Sequence, residues 1–315
     1  MIYYVLKRIG MGVVTLWIIT TITFFLIHLL PGDPFASEKA IPPKIKANLM
    51  KKYGLDKPLH VQYVKYVANA ARGDFGLSMK VRGRKVTRMI TRHFPYSLDL
   101  GLRAVIFAFI VGVTLGIIAG LHRGERTDGV AMFLAVIGVS VPSFVLAGSL
   151  QWLVVWLSNS AGLRILPVAG YDTFAHKILP TIALGLFPVA VIARMMRASM
   201  IEVLNQDYIR TAKAKGQKQI KIIWKHCVRN AIMPVIVYMG PLLAGITTGS
   251  FVIEKIFAIP GLGRYFVTSI YDRDYTVILG VTIFYAFLLI VMILIVDILY
   301  VFIDPRVRIG KGKGE

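Results

Sequence analysis

Six apolar runs govern what this chain can fold into. They lie near residues 9–30, 100–121, 131–157, 178–196, 232–253 and 277–303, and each is long enough to cross a bilayer as a helix. In hydrocarbon no water satisfies backbone N–H and C=O groups, so a crossing segment must close its own hydrogen bonds, as a helix does. The expectation is an all-α polytopic membrane protein with six transmembrane helices. Charged residues make up 17% of the 315, against about 25% in a typical soluble domain. An ordinary soluble enzyme and a disordered tail protein are therefore excluded. One cysteine, Cys227, cannot form an internal disulfide, which excludes a disulfide-stapled secreted domain. The net charge of +21 is read as membrane topology and contact with anionic lipid headgroups, with no nucleic-acid partner.

The first run follows Lys7 and Arg8 and ends in Leu30-Pro31-Gly32-Asp33-Pro34. It exceeds the about 7–15 apolar residues of a cleaved signal peptide, so an uncleaved helix is expected. Pro142, Pro180, Pro188 and Pro241 fall in or near the later runs, which membrane helices tolerate when neighbours satisfy the freed backbone. In the second run Ala104, Ala108, Gly112, Gly116 and Gly120 recur every fourth residue. That spacing puts small residues on one helix face, suited to close helix packing or, alternatively, to lining a pathway.

Charge bias sets the expected orientation. The short connections at 122–130 and 198–231 and the tail at 304–315 carry thirteen Lys and Arg; those at 158–177 and 254–276 carry five. The positive-inside rule puts the richer set, and both termini, in the cytoplasm. The long segment 31–98 then lies outside, although it is itself basic. It has a helical stretch near 59–71 and a turn at Gly73-Asp74-Phe75-Gly76, and reads as a small folded cap. The expected organisation is thus a first helix at 1–30, an extracytoplasmic cap at 31–98, a five-helix core at 99–303 and a cytoplasmic tail at 304–315.

No phosphate-binding Gly-x4-Gly-Lys-Ser/Thr, His-Glu-x-x-His, Cys-x-x-Cys or Gly-x-Ser-x-Gly pattern occurs, and the six histidines are scattered. Neither a catalytic site nor a metal or other cofactor is expected in this chain. Asp297 sits in an otherwise apolar stretch. It reads as a paired structural carboxylate or, in a proton- or sodium-coupled secondary transporter, as an ion site.

The loop 198–231 is the most informative. Asp207 is expected to cap a helix of about two turns that Gly216 ends. Ile220, Ile223, Trp224, Cys227 and Ala231 then share a face at helical spacing, opposite Lys218, Lys221, Lys225 and Arg229. That second segment predicts an amphipathic helix on the inner membrane surface. The first, with small Ala212 and Ala214 beside Tyr208 and Ile209, suits either lipid contact or insertion into a partner's groove; a scaffold that transports nothing would also fit.

Across nearly its whole length the chain resembles the permease subunits of bacterial ABC importers, in the dipeptide/oligopeptide/nickel branch. Beyond the Leu30–Pro34 motif, the resemblance rests on Gly73-Asp74-Phe75-Gly76-Leu77-Ser78 and Tyr208-Ile209-Arg210-Thr211-Ala212-Lys213-Ala214-Lys215-Gly216. It continues in Arg229-Asn230-Ala231 with Pro234, Ile259-Pro260-Gly261-Leu262-Gly263-Arg264 and Arg273-Asp274-Tyr275. Asp297-Ile298-Leu299-Tyr300 and Asp304-Pro305-Arg306-Val307-Arg308 complete it. The resemblance implies a type I importer transmembrane domain, with Tyr208 to Gly216 as the coupling helix that docks on an ATPase. The wider pattern begins this loop with Glu-Ala-Ala; Arg210, Thr211 and Ala212 stand there instead, so no salt bridge from that Glu carries over. The implied partners are a second similar permease, two ABC ATPase subunits that bind the ATP and Mg, an extracytoplasmic binding protein and membrane lipids. Peptides are the implied substrate, with nickel or another small solute as the alternative.

Overall fold

A computed structural model describes residues 2–29, 35, 42–81, 83–162, 165–247 and 251–303. In chain order its helices are α1 (Ile2–Leu29), α2 (Pro43–Tyr53), α3 (Leu59–Ala70), α4 (Val86–Leu121), α5 (Arg126–Ser140), α6 (Ser143–Ala161), α7 (Phe174–Leu204) and α8 (Asp207–Ala214). There follow α9 (Gln219–Ile222), a π-helical segment (Ile223–Val228), α10 (Arg229–Ala231), α11 (Met233–Thr247), α12 (Phe251–Ile256), α13 (Leu262–Asp272) and α14 (Tyr275–Ile303). Among the described residues, α1, α4, α6, α7 and α14 are long and apolar enough to cross a membrane. A sixth span results if Gln219–Ala231 and Met233–Ile246, bent by 46°, count as one.

The chain forms two units, residues 1–97 with 260–315, and residues 98–259. In the first, α1 and α14 run antiparallel. A Cβ on Gly12 would lie 2.7 Å from Ile290 Cγ2, so the absence of a side chain lets the two helices touch. At the other end Phe24 and Ile27 pack on Tyr275, Ile278 and Leu279, with Tyr63 and Tyr66 of α3 laid over them. In the second unit α7 is central: α5, α6, α11 and α12 all pack on it. Its face carries Ile192, Met196 and Met200, all fully buried.

Two spans differ from the sequence expectation. The second helix begins at Val86 instead of residue 100. Val86, Met89, Ile90, His93 and Ser97 are buried while Arg88, Thr91 and Arg92 are exposed, so the added turns are amphipathic and dilute the hydropathy signal. The run 131–157 is not one helix. It breaks at Val141, whose backbone is extended (φ −98°, ψ 123°), the conformation a following proline imposes by steric clash. Of the run 232–253, Met233–Thr247 lies in α11 and 251–253 in α12, with 248–250 outside the described residues.

Candidate functional site

The loop singled out by sequence forms a layer against the end of α7. Gln206, not Asp207, precedes the first helical residue of α8; Asp207 opens the helix, where a carboxylate still meets the positive end of the helix dipole. At the other end Gly216 has φ +70°. Its N–H donates to the Lys213 carbonyl (2.9 Å) and the N–H of Gln217 to that of Ala212 (3.3 Å), the paired bonds of a Schellman stop. The Arg210–Asp207 ion pair is 3.6 Å long, with side chains 74% and 97% exposed, and contributes little to holding the helix.

What holds α8 is burial. Ile209 is fully buried and Ala212 nearly so, in one cluster with Met196 and Met200 of α7, Ile222, Cys227, Val228 and Ala231. Sealing the Ile209 side chain from water contributes about 2–3 kcal/mol. The expectation that small Ala212 faces a partner therefore needs correction: Ala212 points into the chain's own core. Tyr208, Arg210, Thr211, Lys213, Ala214, Lys215 and Gly216 make the exposed side. Asn230 Nδ2 donates to the Tyr208 hydroxyl (2.9 Å), which joins the Tyr208–Gly216 motif to the Arg229-Asn230-Ala231 motif.

The face expected for the second segment is also revised. The five residues do not share one environment: Cys227 and Ala231 are buried together with Ile222, while Ile220 and Trp224 are 62% and 60% exposed. Residues five apart, such as Ile222 and Cys227, would diverge by about 140° on an α-helix. The π-helical segment 223–228 has i→i+5 bonding and turns both toward α7. Hydropathy periodicity at 3.6 residues has no means of signalling that extra residue.

The small-residue stripe of α4 faces α7. A Cβ on Gly112 would lie 2.8 Å from Ile192 Cβ, on Gly116 2.5 Å from Met196 Cβ, and on Gly120 2.6 Å from Met200 Cβ; Ala104 and Ala108 are wholly buried. The α7 residues that receive this stripe also belong to the cluster that seats α8. The backbone of Asp297 lies in α14, but its side chain is outside the described residues, as are the Leu30–Pro34 and Asp304–Arg308 motifs.

Sequence reading missed two ionic anchors in the second unit. Asp128, in the first turn of α5, receives Arg197 of α7 in a bidentate pair (Nε–Oδ1 2.6 Å, Nη2–Oδ2 2.7 Å), and the Gly124 N–H adds a third bond. Together they hold its carboxyl down at about 2, Arg197 above all. Asp99 takes Arg103 (2.9 Å), Lys177 (3.0 Å) and the Tyr171 hydroxyl (2.9 Å). The side-chain pairs join residues 69 or more apart in sequence, except the i,i+4 contact of Asp99 with Arg103, the one side-chain pair a helical spacing could have suggested. A third anchor lies in the first unit. Asp274, 3% exposed, accepts from the Ser78 hydroxyl and from the N–H groups of Met79 and Lys80. It thereby fastens the Gly73–Ser78 motif to the Arg273-Asp274-Tyr275 motif.

Residues 112–309 match the family described as binding-protein-dependent transport system inner membrane component, and residues 1–101 match that family's N-terminal membrane component. The chain is 48% identical over 308 residues to the dipeptide transport system permease protein DppB of Bacillus subtilis, covering 98% of each. It is 45% identical over 310 residues to the oligopeptide transport system permease protein OppB of Haemophilus influenzae, covering 98% of this chain and 100% of that one. A crystal structure of an amino acid ABC transporter shares the fold with a TM-score of 0.51 over 70% of this chain and 95% of that one, at 17% identity. With its apolar membrane-spanning helices, and matched nearly from end to end, the chain belongs to the inner-membrane permease components of binding-protein-dependent transport systems.

Proposed function

We propose that this chain is the permease subunit of an ATP-driven importer and forms part of the pathway for di- and oligopeptides. The observation that carries the substrate class is its near-complete, 43–48% identity to relatives named as dipeptide and oligopeptide permeases. The chain would supply no catalytic group. ATP and Mg would be bound by two ATPase subunits, a second similar permease would complete the pathway, and an extracytoplasmic binding protein would deliver the peptide.

In this reading Tyr208 to Gly216 is the coupling helix. Its support is mechanical. An apolar side seated by Ile209 and Ala212 leaves a polar side for a partner, and two residues, Asn205 and Gln206, separate α8 from α7. A push on α8 then reaches α7 with little slack. Closure of the ATPase pair on ATP would shift the populations of inward- and outward-open states by that route. The charge asymmetry of the short loops supports cytoplasmic termini and tail 304–315, a cytoplasmic loop 198–231 within the core 99–303, and an outer cap at 31–98 after the first helix.

The test is peptide uptake into proteoliposomes. The assembled importer should take up peptide only with ATP and binding protein, and Gly216→Asp should abolish uptake while membrane insertion persists. Uptake by this chain alone, or collapse of uptake on adding an uncoupler, would overturn the proposal.

A further inference from the structure

In the second unit α5 and then α6 run along α7 in the opposite direction. Asp128 in the first turn of α5 pairs with Arg197. A Cβ on Gly138 would lie 2.7 Å from the Leu186 carbonyl oxygen, and Ala147 of α6 clusters with Leu179 and Ala183. The break at Val141 therefore lies opposite the stretch 184–187 of α7. Lys177, which binds Asp99, and Arg197 stand twenty residues apart on α7. That is about 30 Å along a helix, the thickness of the hydrocarbon core. The break falls near the middle of that interval. Non-helical backbone at such depth is tolerated only where it is buried in protein or lines a water-filled cavity. Ser140 and Pro142 are exposed, and Val141 and Ser143 only half-buried, so this chain does not bury the break itself.

The break opens on a cleft of about 600 Å³ bounded by α7 and α11. Pro142, Pro188 and Pro241 all line it. None has an N–H to give the carbonyl four residues earlier, on Gly138, Leu184 and Val237. Ser140, Ser143 and Tyr238 add three hydroxyls, and none of these side chains is fully buried. The rest of the lining, Phe187 included, is apolar, and no Asp, Glu, Lys or Arg belongs to it. Such a wall has no charge with which to select an ion. Hydroxyls both donate and accept, and carbonyls accept. That set matches amide groups, which carry one donor and one acceptor per residue whatever the side chain.

We infer that this cleft is where the main chain of a passing peptide is held, an inference that rests on the importer function proposed above. Water fills the cleft between peptides and satisfies the broken backbone at membrane depth. A peptide replaces that water with its own amide groups. Its side chains meet apolar surface and no charged partner, so the cleft accepts peptides of differing sequence.

Cysteine labelling of the complete importer in proteoliposomes tests it. Cys227 is fully buried and gives no background. Ser140→Cys and Ser143→Cys should react with a negatively charged methanethiosulfonate, which needs water to reach a thiol. Val145→Cys is the control. Val145 is 41% exposed and outside the cleft lining, at nearly the depth of Ser143 but about 200° around the helix, and should stay silent. Dialanine or trialanine, supplied with binding protein and ATP, should slow labelling of both serine variants severalfold. Absence of labelling at 140 and 143 would overturn the inference, since lipid or the second permease would then cover the break. Labelling of Val145→Cys at the same rate would do so too, as would labelling that the peptides leave unchanged. Uptake of the same peptides by the unlabelled importer keeps the two readings apart. If ATP-dependent uptake persists while the labelling pattern fails, the cleft assignment falls alone; if the wild type takes up no peptide, the importer function falls with it.

Discussion

At the residue scale, two glycines of the second unit do opposite work. Gly216 is needed for its backbone: φ is +70° and nothing lies within 4 Å of where a Cβ would stand. Gly216→Ala should therefore cost about 1 kcal/mol and leave the rest of the fold intact. Gly116 is needed for its space, since a Cβ would press on Met196 Cβ at 2.5 Å and on the Ala193 carbonyl at 2.7 Å. Gly116→Ala should cost about 1–3 kcal/mol through overpacking, read as a lower thermal midpoint of the assembled complex than Gly216→Ala shows. Asp128 makes a pH prediction. Its carboxyl is held at about 2, below the about 3.9 of an unfolded aspartate. Its contribution is then complete above about pH 4 and is lost as pH falls through about 2. Asp128→Asn should lose about 2 kcal/mol at neutral pH, and the gap to wild type should close only below about pH 4 in acid-unfolding curves.

At the scale of elements, α8 is too short to be stable alone, because isolated helices below about 12 residues are marginal. Its order depends on Ile209. Ile209→Ala should cost about 2–4 kcal/mol and speed tryptic cleavage at Lys213 and Lys215, two exposed residues of the same loop. Unchanged cleavage would mean that something other than this burial seats the helix. The π-helical segment carries a less obvious expectation. Deleting Lys225 would leave Ile222 and Cys227 four apart, which an ordinary α-helix places on one face. Cys227 should then stay as unreactive toward a maleimide as in the wild type, where it is fully buried. An alanine inserted after Lys225 should expose it.

At the scale of the whole molecule, the same lone cysteine makes topology measurable. With Cys227 buried, Lys213→Cys should react with a membrane-impermeant maleimide in inside-out vesicles and stay silent in intact cells. Lys57→Cys, in the segment before α3, should do the reverse. The opposite pattern would invert the orientation argued from the short loops.

Much of this was legible beforehand. The apolar runs, the helix at 59–70, the turn at Gly73-Asp74-Phe75-Gly76 and the glycine stop at Gly216 are local features, each set by a few adjacent residues. The extension of α4 back to Val86 was hidden because its buried face alternates with arginines. The break at Val141 was passed over because hydropathy continues across Pro142 while the backbone does not. The motifs at 73–78 and 273–275 were visible as strings, but nothing in either says that Asp274 would receive Ser78. Order, length and hydropathy of the segments, and with them the family, follow from the sequence alone, since crossing hydrocarbon is a demand on each segment separately. Which side of α8 turns inward, how the π-helical segment re-aims Cys227, and which distant carboxylates and cations meet were decided only on folding, because those outcomes depend on the surface that each segment packs against.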